Sequence, residues 1–218
     1  MRSRKGFTLV ELMISITILV LIATATLFNL NSTRNTEELN TASRLLESDI
    51  RNIQARALAA RDVLQCRAPD DLQSVCGSDA YATASCTGPC SASPPPRFGI
   101  NLMRGAAFYD LYADIRGDDW RETNDREVMI RRQLNPLGGG NVVIIGIALP
   151  GVVPAPSTAD IAVSRQSGVM RINACGDSGL PACSPTEPTS LTITLRHNKS
   201  MQYKTVEVNS VTGRVSIQ

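Results

Sequence analysis

From Leu12 to Leu30 the chain carries 19 consecutive residues without a charge, a proline or a glycine. As a helix rising 1.5 Å per residue, this run is about 28 Å long, close to the hydrocarbon thickness of a bilayer. A secretory signal has a shorter apolar stretch closed by a small-residue cleavage site. Ala23-Thr24-Ala25 imitates such a site, but Leu27, Phe28 and Leu30 continue the apolar run, so the span reads as retained. Arg2, Arg4 and Lys5 precede it, while Glu37 and Glu38 follow Arg34. The positive-inside bias predicts a cytoplasmic N-terminus and an exported remainder.

That remainder has the material for a core. At 218 residues and 43% hydrophobic, the chain is sized for one domain plus an appendage, and wholesale disorder is excluded. Lys and Arg number 22 against 20 Asp and Glu; without Arg2, Arg4 and Lys5 the balance is 19 to 20. A globally basic nucleic-acid binder is thereby excluded, although a local patch is not. The single histidine, His197, is too little for a His-based metal cage. Six cysteines without any C-x-x-C point to disulfides outside a reducing cytosol.

Glu11 stands inside an apolar stretch that begins at Phe7. Alone, a carboxylate there reads as an interfacial group reaching for headgroups; deeper in the bilayer it needs a partner. Its neighbours change the reading. Arg4-Lys5-Gly6-Phe7-Thr8-Leu9-Val10-Glu11-Leu12 closely resembles the leader and cleavage motif of type IV pilins and type II secretion pseudopilins. The resemblance implies that a prepilin peptidase cuts between Gly6 and Phe7 and methylates the new amine of Phe7. It also links Glu11, the fifth mature residue, to filament assembly. Where that family often has a helix-bending proline near the end of the span, this chain has Phe28.

Beyond the span, Leu39, Ala42, Leu46, Ile50, Ile53, Ala57, Ala60 and Leu64 recur at steps of three and four, the helical period. Thr36 with Glu37 and Glu38 behind it has the look of an N-cap, but the preceding apolar helix favours continuity. One helix is expected from Phe7 to about Ala60. The segments are a leader over 1–6, a transmembrane helix over 7–30, and an amphipathic continuation over 31–64. A Cys/Pro-rich loop over 65–97 and an antiparallel β domain over 98–218 follow.

Within that domain, Tyr109, Leu111, Ala113 and Ile115 alternate with Phe108, Asp110, Tyr112 and Asp114, which predicts a strand with one buried face. Further strands are expected over 128–134, 142–149, 160–164, 169–174, 191–197 and 205–209, with a last hairpin turning at Thr212-Gly213 into 214–218. Strands following one helix define an α+β fold, the helix packed across an antiparallel sheet in pilin-like fashion. Leu45 to Ala57 and Val211 to Ile217 resemble the GspH/FimT branch of the pseudopilins.

Chemistry-bearing groups are few. Gly176-Asp177-Ser178-Gly179 has the look of a serine-protease nucleophile, but the only histidine follows it in a strand-like stretch and Leu180 replaces a glycine. A polar turn closed by a Cys175–Cys183 disulfide is expected instead, with pairing among Cys66, Cys76, Cys86 and Cys90 left open. Asp114, Asp118 and Asp119 form a weak Ca²⁺ candidate that does not match an EF-hand loop; the competing reading is a solvated acidic hairpin. Otherwise no cofactor is expected.

Arg196, Lys199, Lys204 and Arg214, near His197, are candidates for a phosphate-binding stripe. Some members of the GspH/FimT branch receive DNA in natural transformation and carry a second arginine two places after Gly-Arg, where this chain has Ser216. The resemblance therefore implies a minor pilin or pseudopilin, a non-enzymatic structural subunit of a type IV pilus or type II secretion pseudopilus. DNA capture is the alternative. Implied partners are other pilins or pseudopilins, the prepilin peptidase and an inner-membrane assembly platform.

Overall fold

The computed structural model describes residues 8–67, 73–76, 88–115, 128–135, 141–152, 155–175 and 188–218; within these, side chains 25–32, 73, 174 and 175 are not described. The chain divides into two compact units, Met1–Glu37 and Glu38–Gln218. Helix α1 (Leu9–Leu58) contributes to both. Its side chains from Leu9 to Thr24 are exposed. Among the described residues no helix is long and apolar enough to cross a membrane.

In the second unit the three–four spacing becomes a buried stripe. Leu39, Ala42, Leu46, Ile50, Ile53 and Ala57 are all buried, one face of a 3.6-residue helix against the core. Ala60 and Leu64, which continue the spacing in sequence, are exposed. The helix has already ended: Arg61 N–H bonds the Arg56 carbonyl and Ala60 N–H the Ala57 carbonyl, both at 3.1 Å. Ala60 takes a left-handed φ of 46°. This is a Schellman cap with alanine where glycine is usual.

Three antiparallel sheets follow. The smallest orders β2 (Gln73–Val75), β1 (Val63–Arg67) and β3 (Ser91–Ser93). It corrects the expected loop over 65–97, for short strands held by a crosslink need no hydrophobic alternation to betray them. The five-stranded sheet runs β6 (Val128–Gln133), β5 (Phe108–Asp114), β4 (Arg97–Met103), β8 (Thr158–Ser164) and β9 (Met170–Cys175). The four-stranded sheet runs β12 (Val215–Ile217), β11 (Tyr203–Asn209), β10 (Ser190–His197) and β7 (Val142–Ala148).

Both larger sheets meet the same stretch of α1. From the five-stranded sheet, the Tyr109 hydroxyl donates to Asp49 at 2.7 Å. From the four-stranded sheet, the Gly213 carbonyl just before β12 accepts from Gln54 at 2.9 Å and the Val215 carbonyl from Arg51 at 3.4 Å. The helix thereby occupies backbone acceptors that an edge strand would otherwise expose. The far edge of this sheet is tied too: Gly105 N–H bonds the Ile144 carbonyl at 2.6 Å and Ile144 N–H the Ala106 carbonyl at 2.9 Å.

The expected one-sided burial of β5 needs correction. Asp110, Tyr112 and Asp114, on the face opposite the core, are buried as well. Asp110 accepts two bonds from Arg131, at 2.7 and 2.9 Å, and Asp114 pairs with Arg97 at 3.1 Å. Tyr112 lies against Gly99 on β4, where an added Cβ would collide with its ring. Charge pairing on that face makes burial of the carboxylates tolerable.

Candidate functional site

Thr8 and Glu11 build the start of α1. The Glu11 carboxylate accepts from both the Thr8 N–H and the Thr8 hydroxyl at 2.9 Å, and the Glu11 N–H bonds the Thr8 hydroxyl oxygen at 3.3 Å. With Leu9 the first helical residue, Thr8 is the N-cap and Glu11 the N3 position of a reciprocal capping box. The Thr-x-x-Glu spacing was available in the sequence as a helix-start signal. Its effect is to aim a carboxylate at the N-terminal end of the helix, where orphan N–H groups and the helix dipole favour negative charge. Gly6 and Phe7, the residues of the expected cleavage, lie outside the described residues.

Residues 1–27 match the family model for the prokaryotic N-terminal methylation motif. That motif supports a type IV pilin-like protein. Glu11 and its cap lie within the matched span. No curated protein and no solved structure matches the chain. A helix followed by antiparallel sheets is consistent with a pilin-like fold. The type IV pilin motif in general implies assembly with other pilins and processing by a prepilin peptidase.

At the first residue of the second unit, Glu38 gathers three donors on one oxygen. Asn135 Nδ2 lies 2.8 Å, His197 Nε2 3.3 Å and Asn141 Nδ2 3.4 Å from Glu38 Oε2. His197 is fully buried. The Ser200 N–H donates to its Nδ1 at 3.2 Å, so Nε2 carries the hydrogen that points at Glu38. The cluster joins α1 to the end of β6, the start of β7 and the β10–β11 turn. Glu38 and His197 are 159 positions apart, and no local pattern announces their meeting.

The crosslinks settle part of the open pairing. Cys76 bonds Cys90 across 14 positions. Cys66 is also in a disulfide, and no cysteine is free among the described residues. Cys86 and Cys183 lie outside the described residues, as does the Cys175 side chain, and the Cys175–Cys183 pairing falls there with them. Ser178 also lies outside.

The basic candidates do not all share one surface. On β10 and β11, Leu195 is opposite Lys204 and Arg196 opposite Tyr203. Directly paired residues share a face, so Lys204 lies with Leu195 on the core side and Arg196 on the outer side. Arg214 flanks β12 on the outer side, its carbonyl accepting from the Asn209 N–H at 2.9 Å. Between Arg196 and Arg214 runs β11, which places Glu207 on the same outer face. Lys199 is exposed in the β10–β11 turn. The expected stripe is therefore broken by strand alternation and by a carboxylate. Of the Ca²⁺ candidates, Asp114 is buried and paired with Arg97, while Asp118 and Asp119 lie outside the described residues.

Proposed function

We infer that the chain is a minor pilin or pseudopilin of the GspH/FimT type, a structural subunit of a type IV pilus or type II secretion pseudopilus. The observation that carries this reading is the methylation motif running directly into a capped helix. In this reading residues 7–30 span the inner membrane, with the leader in the cytoplasm and the second unit in the periplasm. The uncharged run from Leu12 to Leu30 supports the span, and the Cys76–Cys90 disulfide supports an oxidising compartment. The peptidase cuts between Gly6 and Phe7, and an inner-membrane platform then feeds the subunit into the filament.

Glu11 takes the assembly role. Before assembly its carboxylate is held by Thr8 of its own chain. In the filament the methylated amine of a neighbouring Phe7 offers it a countercharge, neutralising both groups in an apolar core. The role is structural, with no reaction catalysed; burial of the single histidine against Glu38 and Ser200 supports that reading. Glu11→Ala is expected to leave the precursor cleaved and membrane-inserted while its recovery in sheared filaments falls to background. Wild-type recovery of this variant would remove the assembly role from Glu11.

A further inference from the structure

We propose that the outer face of β11 and β12 binds an uncharged saccharide chain. A groove of about 400 Å³ lies there, lined by Glu207, Asn209, Thr212, Arg214, Ser216 and Gln218. Sugar hydroxyls both donate and accept, and this lining offers both functions: a carboxylate, a guanidinium, two amides and two hydroxyls. The carboxylate that interrupts the basic stripe repels a polyanion yet serves a hydroxyl as acceptor. Gln218 Nε2 donates to Glu207 Oε2 at 3.0 Å, which orients both side chains. Arg214 is exposed.

The floor is rigid. Asn209 Oδ1 accepts from the N–H groups of Val211 and Thr212 and from the Thr212 hydroxyl, at 2.8 to 3.1 Å. The Thr212 hydroxyl oxygen in turn takes the Arg214 N–H at 3.3 Å. From behind, Gln54 of α1 holds the Gly213 carbonyl at 2.9 Å. A site on a pinned hairpin loses little freedom on binding.

Tyr203 lies on the same face of β11, four residues before Glu207, with 57% of its surface exposed. Its ring offers an apolar plane to the C–H face of a sugar while its hydroxyl stays in water. Four residues of strand span about 13 Å, longer than one sugar ring, so an oligosaccharide uses the face better than a monosaccharide. The proposal does not depend on how the chain assembles.

The test uses the full chain in a zwitterionic detergent, which brings no sugar headgroup. Its amide shifts are followed while chitotetraose, an N-acetylated amino sugar like those of cell-wall glycan, or maltotetraose, a plain glucan, is added to the limit of solubility. Saturable shifts confined to β11, β12 and their turn are expected with one of the two, which identifies the source. These shifts are expected to be insensitive to salt. Tyr203→Ala and Arg214→Ala, both on exposed side chains, are each expected to weaken binding on the order of tenfold, with the rest of the spectrum unchanged. Absence of shifts with both tetrasaccharides overturns the proposal. So does tighter binding of duplex DNA at this face, with affinity falling steeply as salt rises.

Discussion

Asp49 shows how one buried group ties the helix to a sheet. It accepts from the Tyr109 hydroxyl at 2.7 Å and lies 3.6 Å from Arg132 Nε. Burial first, and then the Asp49 charge, hold the Tyr109 pKa above the ordinary tyrosine value. An unfolded tyrosine ionises near pH 10, so above that pH the folded chain retains a proton that the unfolded chain has lost. This contribution to stability is whole below about pH 10 and declines as pH rises beyond it. Tyr109→Phe is expected to lower stability by about 1.5–3 kcal/mol at neutral pH, the usual worth of a hydrogen bond to a charged group. It is also expected to flatten the alkaline decline. Urea midpoints of both proteins from pH 7 to 11 check the two effects, and identical curves would show that the bond contributes nothing.

The end of α1 and the small sheet beyond it carry the tests at the scale of elements. Alanine in a left-handed conformation is strained by roughly 1 kcal/mol, and glycine is not. Ala60→Gly is therefore expected to raise the unfolding free energy by about that amount, measured by urea denaturation. No change would mean that the strain is relieved elsewhere. The Cys76–Cys90 crosslink closes a loop of 14 positions, for which chain entropy predicts about 3 kcal/mol. Replacing both cysteines with serine is expected to abolish slow amide exchange in β1, β2 and β3 while β4, β8 and β10 keep theirs. Retained protection in β1 would show that the small sheet stands without this bond. The sequence exposed elements whose stability lies in an apolar period: the Leu39-to-Ala57 stripe, and β10 with Leu191, Ile193 and Leu195 facing inward. It concealed β4, although Phe98, Ile100 and Leu102 alternate there, since Gly99 and the prolines before it look like breakers. Gly99 is in that strand because the Tyr112 ring leaves no room for a Cβ, a reason visible only once β5 is beside it. Thr8-x-x-Glu11 is a local helix-start signal that the reading of Glu11 as a membrane carboxylate passes over. The Glu38 cluster and the separation of Lys204 from Arg196 depend on pairing between distant segments.

At the scale of the whole molecule, an apolar N-terminal segment is followed by a helix-and-sheet unit whose described core packs around α1. The second unit buries its helical stripe and the inward faces of its sheets, whereas the described side chains of α1 before Ala25 are exposed. In the proposed reading the second unit supplies the folded domain and the first the assembly helix, with processing between Gly6 and Phe7. Intact mass of the full-length product, isolated from membranes of cells carrying a prepilin peptidase, tests this most directly. The expected product lacks Met1 to Gly6 and is heavier by one methyl group on Phe7. A product cut after Ala25, or one that keeps its leader unmethylated in the presence of the peptidase, would contradict it.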